Sequence, residues 1–100
     1  MRDEPAAIGV VKASLCGQAR EFEEIEIRHV GQRLGFELLD LLDADETPQL
    51  VAIVDDLDVD AVIPPTEDHV PLDELRPSYE VITTRPLATY TRGHYQRLGD

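Results

Sequence analysis

The sequence predicts a small doubly wound α/β domain built on a mainly parallel, four-stranded sheet. Three observations lead there. Short apolar runs containing β-branched residues recur along the chain. Segments with helical spacing of their apolar residues lie between them. The whole is 100 residues with 42% hydrophobic content, enough for one core and below the size at which chains divide into two domains.

Ala6 to Ala13 (AAIGVVKA) lacks strict alternation, which suits a strand buried on both faces. Ser14-Leu15-Cys16-Gly17 breaks the run. From Gln18 onward Phe22, Ile25, Val30 and Leu34 follow helical spacing and are expected to face the core, with Glu21, Glu23, Glu24 and Glu26 outward. Those acids suit a helix N-terminal half, and Gly35 is a natural stop. Phe36 to Leu42 has the length and apolarity of a second strand. Thr47-Pro48 places a capping hydroxyl before a proline suited to a first helical turn, so a second helix is expected to start there. Leu50, Ile53, Val54 and Leu57 would be its buried face, and Asp55, Asp56 and Asp58 at its end should keep it short. Val59 to Ile63 reads as a third strand stopped by Pro64-Pro65. Pro71 to Leu75 is at most one helical turn, and Tyr79 to Thr83 is a fourth strand. Strands alternating with helices imply right-handed βαβ units, in the flavodoxin-like order 2-1-3-4. Residues 1–85 are assigned to this domain and residues 86–100 to a C-terminal tail.

The formal charge is −12, so the field of the whole molecule repels phosphate backbones and anionic membranes. Direct nucleic-acid binding is expected to be weak or absent. The first eight residues hold no apolar run, and no membrane anchor or secretory signal is read from them. A cytoplasmic location is the expectation. Charge is uneven: residues 1–75 hold 5 basic and 19 acidic residues, residues 76–100 hold 4 and 2. Arg85, Arg92, His94 and Arg97 could dock on an acidic surface of this chain or of a second copy. A homodimer is a fair default for so small a domain with Tyr79, Tyr90 and Tyr95 near its end. Cys16, the single cysteine, can form no internal disulfide and supplies no thiolate cluster.

Ligands in open α/β sheets sit at the carboxyl ends of the strands. Two segments fall there. The turn Ser14 to Gln18 leaves the first strand and opens a helix, so its N–H groups and the Ser14 hydroxyl could hold an anion; Ser14, Cys16, Gly17 and Gln18 are its candidate ligand residues. The turn Pro64 to Val70 leaves the third strand with Glu67, Asp68 and His69, and the 2-1-3-4 order makes the two turns neighbours. A serine beside a carboxylate and a histidine invites a hydrolase reading, yet no G-x-S-x-G elbow is present and Asp68 and His69 are adjacent in sequence. Ser14 as a helix cap explains its position without chemistry. Cys16 near a helix start could have a lowered pKa and act as a redox thiol, although a lone small residue in a turn is more often inert. His29 has no partner at ligand spacing. Neither a metal nor a cofactor is expected.

Gly9-Val10-Val11-Lys12-Ala13-Ser14, followed four residues on by Gln18, resembles the G-Y-x-R-x-S strand end of the serine recombinase (resolvase) catalytic domain. Asp60-Ala61-Val62-Ile63 followed by Glu67-Asp68-His69-Val70-Pro71-Leu72 resembles the strand and L-D-R-L-G-R segment of the same family, over roughly Ala7 to Thr83. The resemblance implies a resolvase-like fold, with Ser14 in the place of a nucleophile that attacks a DNA phosphodiester and Lys12, Gln18 and Asp68 at further active-site positions. The sequence departs from the pattern where the family has its tyrosine (Val10) and its arginines (Lys12, His69 and Leu72). Phosphoryl transfer depends on positioning and on cations around the phosphate, and Lys12 offers a point charge rather than a bidentate fork. The family also continues into a long DNA-tracking helix and a DNA-binding region, which this sequence is not expected to supply.

The expectation is therefore a non-catalytic, resolvase-like binding or regulatory domain that takes a protein partner or a second copy of itself. Two alternatives stay open. One is a residual enzyme or anion-binding protein using the Ser14 to Gln18 turn; the other is an accessory to a DNA recombinase.

Overall fold

A computed structural model describes residues 4–90 of the chain. Five strands form a single sheet: β1 (Ala6–Val11), β2 (Glu37–Asp43), β3 (Ala61–Ile63), β4 (Glu80–Thr84) and β5 (Leu87–Tyr90), in the order β2-β1-β3-β4-β5. The first four are parallel, and β5 returns antiparallel on β4, with Val81 opposite Tyr90 and Thr84 opposite Leu87. Between them lie a one-turn helix α1 (Ala13–Cys16), the long helix α2 (Arg20–Arg33), α3 (Leu50–Leu57) and a second single turn α4 (Leu72–Leu75). Among the described residues no helix is long and apolar enough to cross a membrane.

The sheet is thus five-stranded where four strands were expected. The fifth, Leu87–Tyr90, falls in the segment assigned to the tail, because its LATY pattern is too short to register as a strand alone. It is half-exposed on alternate residues, as an edge strand with one face on the core should be. Residues 91–100, including Arg92, His94, Tyr95 and Arg97, lie outside the described residues.

β1 is buried along its whole length and divides the core in two. Ala6, Ile8 and Val10 point to one face, where Leu50 and Val54 of α3 join Val62, Leu75, Tyr79 and Val81. Ala7 and Val11 point to the other, with Ile27 of α2, Cys16, Ala61, Ile63 and Ile82. A central parallel strand covered on both faces has no polar side, which is why its sequence does not alternate. Pro64 and Pro65 end β3 without leaving the core: both are fully buried, and the Pro65 carbonyl accepts the backbone N–H groups of Thr84, the last residue of β4, and of Arg85 after it. The Tyr79 hydroxyl donates to Asp55 and so ties α3 to the start of β4; burial first, then Asp55, pushes its pKa up to about 12.

The outward and inward sides of α2 differ from the sequence expectation. Of Phe22, Ile25, Val30 and Leu34, only Val30 packs against the core, while Phe22 (56% exposed), Ile25 (55%) and Leu34 face out. The buried stripe is Glu23, Ile27 and Gly31. Close packing explains the rotation. A Cβ at Gly9 would lie 2.7 Å from Ile27 and 2.4 Å from Leu41, so the helix and β2 press directly on bare backbone at the middle of β1. Gly31, on the same stripe, leaves room for a Cβ in ordinary contact with Ile63 and Leu38. Gly35 ends the helix at φ 85°, as expected. Thr47 does not cap α3: its hydroxyl donates to the Asp43 carbonyl, and the helix begins later, after Gln49. Ile53 of α3 is also turned outward rather than buried.

Gly9, which faces α2, and Gly31, which lies on it, should respond in opposite directions to the same substitution. Gly9→Ala is expected to lose about 1–3 kcal/mol by overpacking. Gly31→Ala, whose new Cβ would sit 3.6 Å from Ile63 in ordinary contact, is expected to gain up to about 1 kcal/mol from helix propensity. Urea unfolding of both variants checks the signs.

Candidate functional site

The carboxyl ends of β1, β2 and β3 meet in one region. The two turns flagged in the sequence touch there: the Lys12 N–H, at the end of β1, donates to Nδ1 of His69 after β3 at 2.8 Å. Asp43, the last residue of β2, is buried and serves as a hub. One oxygen accepts the N–H groups of Ala13 (3.3 Å) and Asp45 (2.9 Å), and the other accepts from Nη1 of Arg20 (3.0 Å). Arg20 in turn pairs with Glu24 one turn along α2. The Ser14 N–H donates to Asp45 at 2.8 Å, and this N–H together with the Ser14 hydroxyl holds the Asp45 carboxyl below its ordinary pKa.

The donors at the start of α1, namely the N–H groups of Lys12, Ala13 and Ser14, are therefore all taken by His69, Asp43 and Asp45. An anion placed there would have to displace two carboxylates. Ser14 is not a helix cap, since Lys12 occupies the capping position without a side-chain bond. Ser14, Gly17, Gln18 and Asp68 are exposed, whereas Cys16 and His69 are buried and Lys12 is intermediate. Gly17 ends α1 at φ 55°. Among the described residues His69 is bonded to the Lys12 backbone and not to Ser14, so the serine, histidine and Asp68 do not form a relay.

A different trio converges beneath the turns. Ligand-type atoms of Cys16, Glu23 and His69 all lie within 4.8 Å of one another, and all three residues are buried. Glu23 is only 2% exposed; one of its oxygens pairs with Arg85, which follows β4, and the other has no hydrogen-bond partner. These donor types suit a zinc-like cation, but the ring is set against it. With Nδ1 accepting an N–H, a neutral imidazole carries its proton on Nε2, whereas a metal-bound histidine gives a lone pair from one nitrogen and donates the other N–H to an acceptor. Arg85 already supplies a cation to Glu23. The trio is better described as a buried polar cluster where α1, α2 and the turn after β3 come together. Cys16 does not have the lowered pKa considered for a thiol at a helix start: burial first, and Glu23 second, push it up, which keeps the sulfur protonated.

A cleft of about 400 Å³, which His69 also lines, is bounded by Lys12, Thr47, Pro48, Leu50, Val70 and Pro71 together with Asp68 and Glu74. A second concavity adjoins it across Val70 and Pro71 and is lined by Glu67, Asp68, Asp73 and Glu74. The edge of the sheet is acidic overall, and among the described residues Lys12 is the single cation lining either concavity.

No family model, no curated protein and no solved structure matches this chain. Glu23, Asp43, Asp45 and Arg85 organise the site, and none was singled out for it from sequence. The one signal for Glu23 was its i, i+4, i+8 relation to Ile27 and Gly31, which the stronger apolar pattern of Phe22 and Ile25 masked.

Two measurements follow. Arg85→Ala strands a buried carboxylate and is expected to cost about 1–3 kcal/mol; Glu23→Leu in the same chain should recover most of it, because removing both charges leaves nothing unpaired. His69 is held below its ordinary pKa of 6.5, chiefly by burial and against the opposing pull of Glu23. The unfolded chain then takes the proton first as pH falls. The His69 contribution is complete above about pH 6.5 and is lost as pH drops below it. The melting temperature should fall between about pH 7 and about pH 5, before most carboxylates titrate, and His69→Gln should flatten that fall.

Proposed function

We propose that the chain is a non-catalytic binding domain on a resolvase-like scaffold, working through protein contacts at the carboxyl edge of its sheet. The observation that carries this reading is the self-occupied start of α1. Where a strand-transferring serine would need open N–H donors and arginines around a phosphate, Asp43, Asp45 and His69 take the donors. Two arginines of the described residues near this edge are committed as well, Arg20 to Glu24 and Asp43, and Arg85 to Glu23. Lys12 remains as a point charge, which does not replace the arginine forks that phosphoryl transfer draws on.

The charge of the edge supports a protein over a nucleic acid as partner. A phosphate backbone approaching the cleft would meet Glu67, Asp68, Asp73 and Glu74 with, among the described residues, Lys12 alone to offset them. The apolar floor of Pro48, Leu50, Val70 and Pro71 suits a side chain of a partner protein, and the acidic margin suits basic residues flanking it.

Covalent trapping on supercoiled DNA at low salt, with wild type and Ser14→Ala side by side, tests the inherited chemistry. Neither nicking nor an adduct is expected from either protein, and inorganic phosphate should not raise the melting temperature beyond the effect of chloride at equal ionic strength. A covalent protein–DNA species that disappears with Ser14→Ala would overturn the reading.

A further inference from the structure

α2 buries a glutamate and a glycine while leaving a phenylalanine and an isoleucine more than half exposed. Scattered surface apolar residues need no explanation, but a buried charge and outward-facing large apolar groups on one helix do. We propose that the outer face of α2 is a self-association surface, on which a second copy of this chain packs its own α2 antiparallel across a twofold axis near Ile25.

The sequence of that face specifies the occupant. Glu21, Ile25, Arg28 and Gln32 form one strip at i, i+4, i+7 and i+11, and Phe22, Ile25 and His29 form the adjoining one. Glu21, Arg28, His29 and Arg33 are exposed, and among the described residues none of them makes an ion pair. The acid stands at the N-terminal end of the strip and the bases at the C-terminal end. With Ile25 near the axis, a residue four places before it faces one three or four places after it on the other copy. Glu21 then meets Arg28 and His29 of the second copy, twice by symmetry, and Phe22 covers the stems of the same residues. A partner of one charge sign would satisfy half of this face and repel the other half; a second copy satisfies both. Antiparallel placement also opposes the two helix dipoles favourably. The net charge of −12 per chain acts against association, but over distances beyond about 8 Å it is screened at physiological ionic strength. This face lies apart from the acidic cleft, so the outcome is independent of the binding role proposed for the sheet edge.

Sedimentation velocity over a hundred-fold range of concentration tests the proposal. The full chain should show a reversible monomer–dimer equilibrium. Ile25→Glu should weaken the dimer about ten-fold or more. Glu21→Arg and Arg28→Glu should each weaken it, and the two together should restore it, because the swapped charges again face each other across the axis. All these side chains are outside the core, so circular dichroism, and melting at concentrations where the wild type is monomeric, should stay close to wild type in each variant. A chain that stays monomeric throughout overturns the proposal, as does a dimer indifferent to Ile25→Glu or a double charge swap that fails to recover.

Discussion

The rotation of α2 about its own axis governs the rest of the molecule. Gly9 at the centre of β1 removes the side chain that would hold a helix away from the sheet, and Ile27 occupies the space directly. Once Ile27 and Gly31 point down, Glu23 must point down with them, one turn earlier on the same stripe. Its carboxylate then needs a cation, and Arg85 supplies it from beyond β4, so a contact made for packing becomes an electrostatic link between distant parts of the chain. The same rotation turns Phe22 and Ile25 outward. Packing geometry, a buried ion pair and an exposed apolar face are three results of one constraint.

The carboxyl edge shows how a scaffold of this topology can fill a helix start with its own side chains. N–H groups at the start of a helix need acceptors, and any carboxylate within reach will serve. Here β2 ends in Asp43 and the following turn presents Asp45, so the acceptors come from within the chain. The result is a local structure satisfied in itself. Arg20 extends the arrangement by binding Asp43 and Glu24 together, which fastens the end of β2 to α2.

The order of strands and helices was legible because each element carries its own signal: continuous apolar runs for buried parallel strands, proline pairs and glycine for their limits. The contact between the turns after β1 and β3 was legible too, since the 2-1-3-4 order places them side by side and Lys12 bonds to His69 across that join. What failed was the phase of α2. Phe22, Ile25 and Leu34 outweigh Ile27 alone in any count of apolar periodicity, and a pattern cannot register that Gly9, on another element, accepts only the narrow side of the helix. Asp43 and Asp45 were passed over for a related reason: in sequence they are a polar break, and their role exists only once β2 lies beside β1. The edge strand β5 owes its existence to pairing with β4 and gives almost no local sign of itself.

A helix that inverts its expected faces also says something about what the sequence was shaped to do. A lone α2 would be better served by burying Phe22 and Ile25 and leaving Glu23 in water, since burying an ion pair brings little net stability after desolvation. The observed orientation therefore keeps a polar link inside and an apolar strip outside. Consistency between local pattern and tertiary packing is the ordinary condition of a well-specified fold, and departures from it concentrate where a surface or site has another task. In this chain the departure and the self-complementary charges of Glu21 and Arg28 occur on the same helix. That coincidence is what a second copy of α2 would resolve, by returning Phe22 and Ile25 to an apolar contact while Glu23 stays with Arg85.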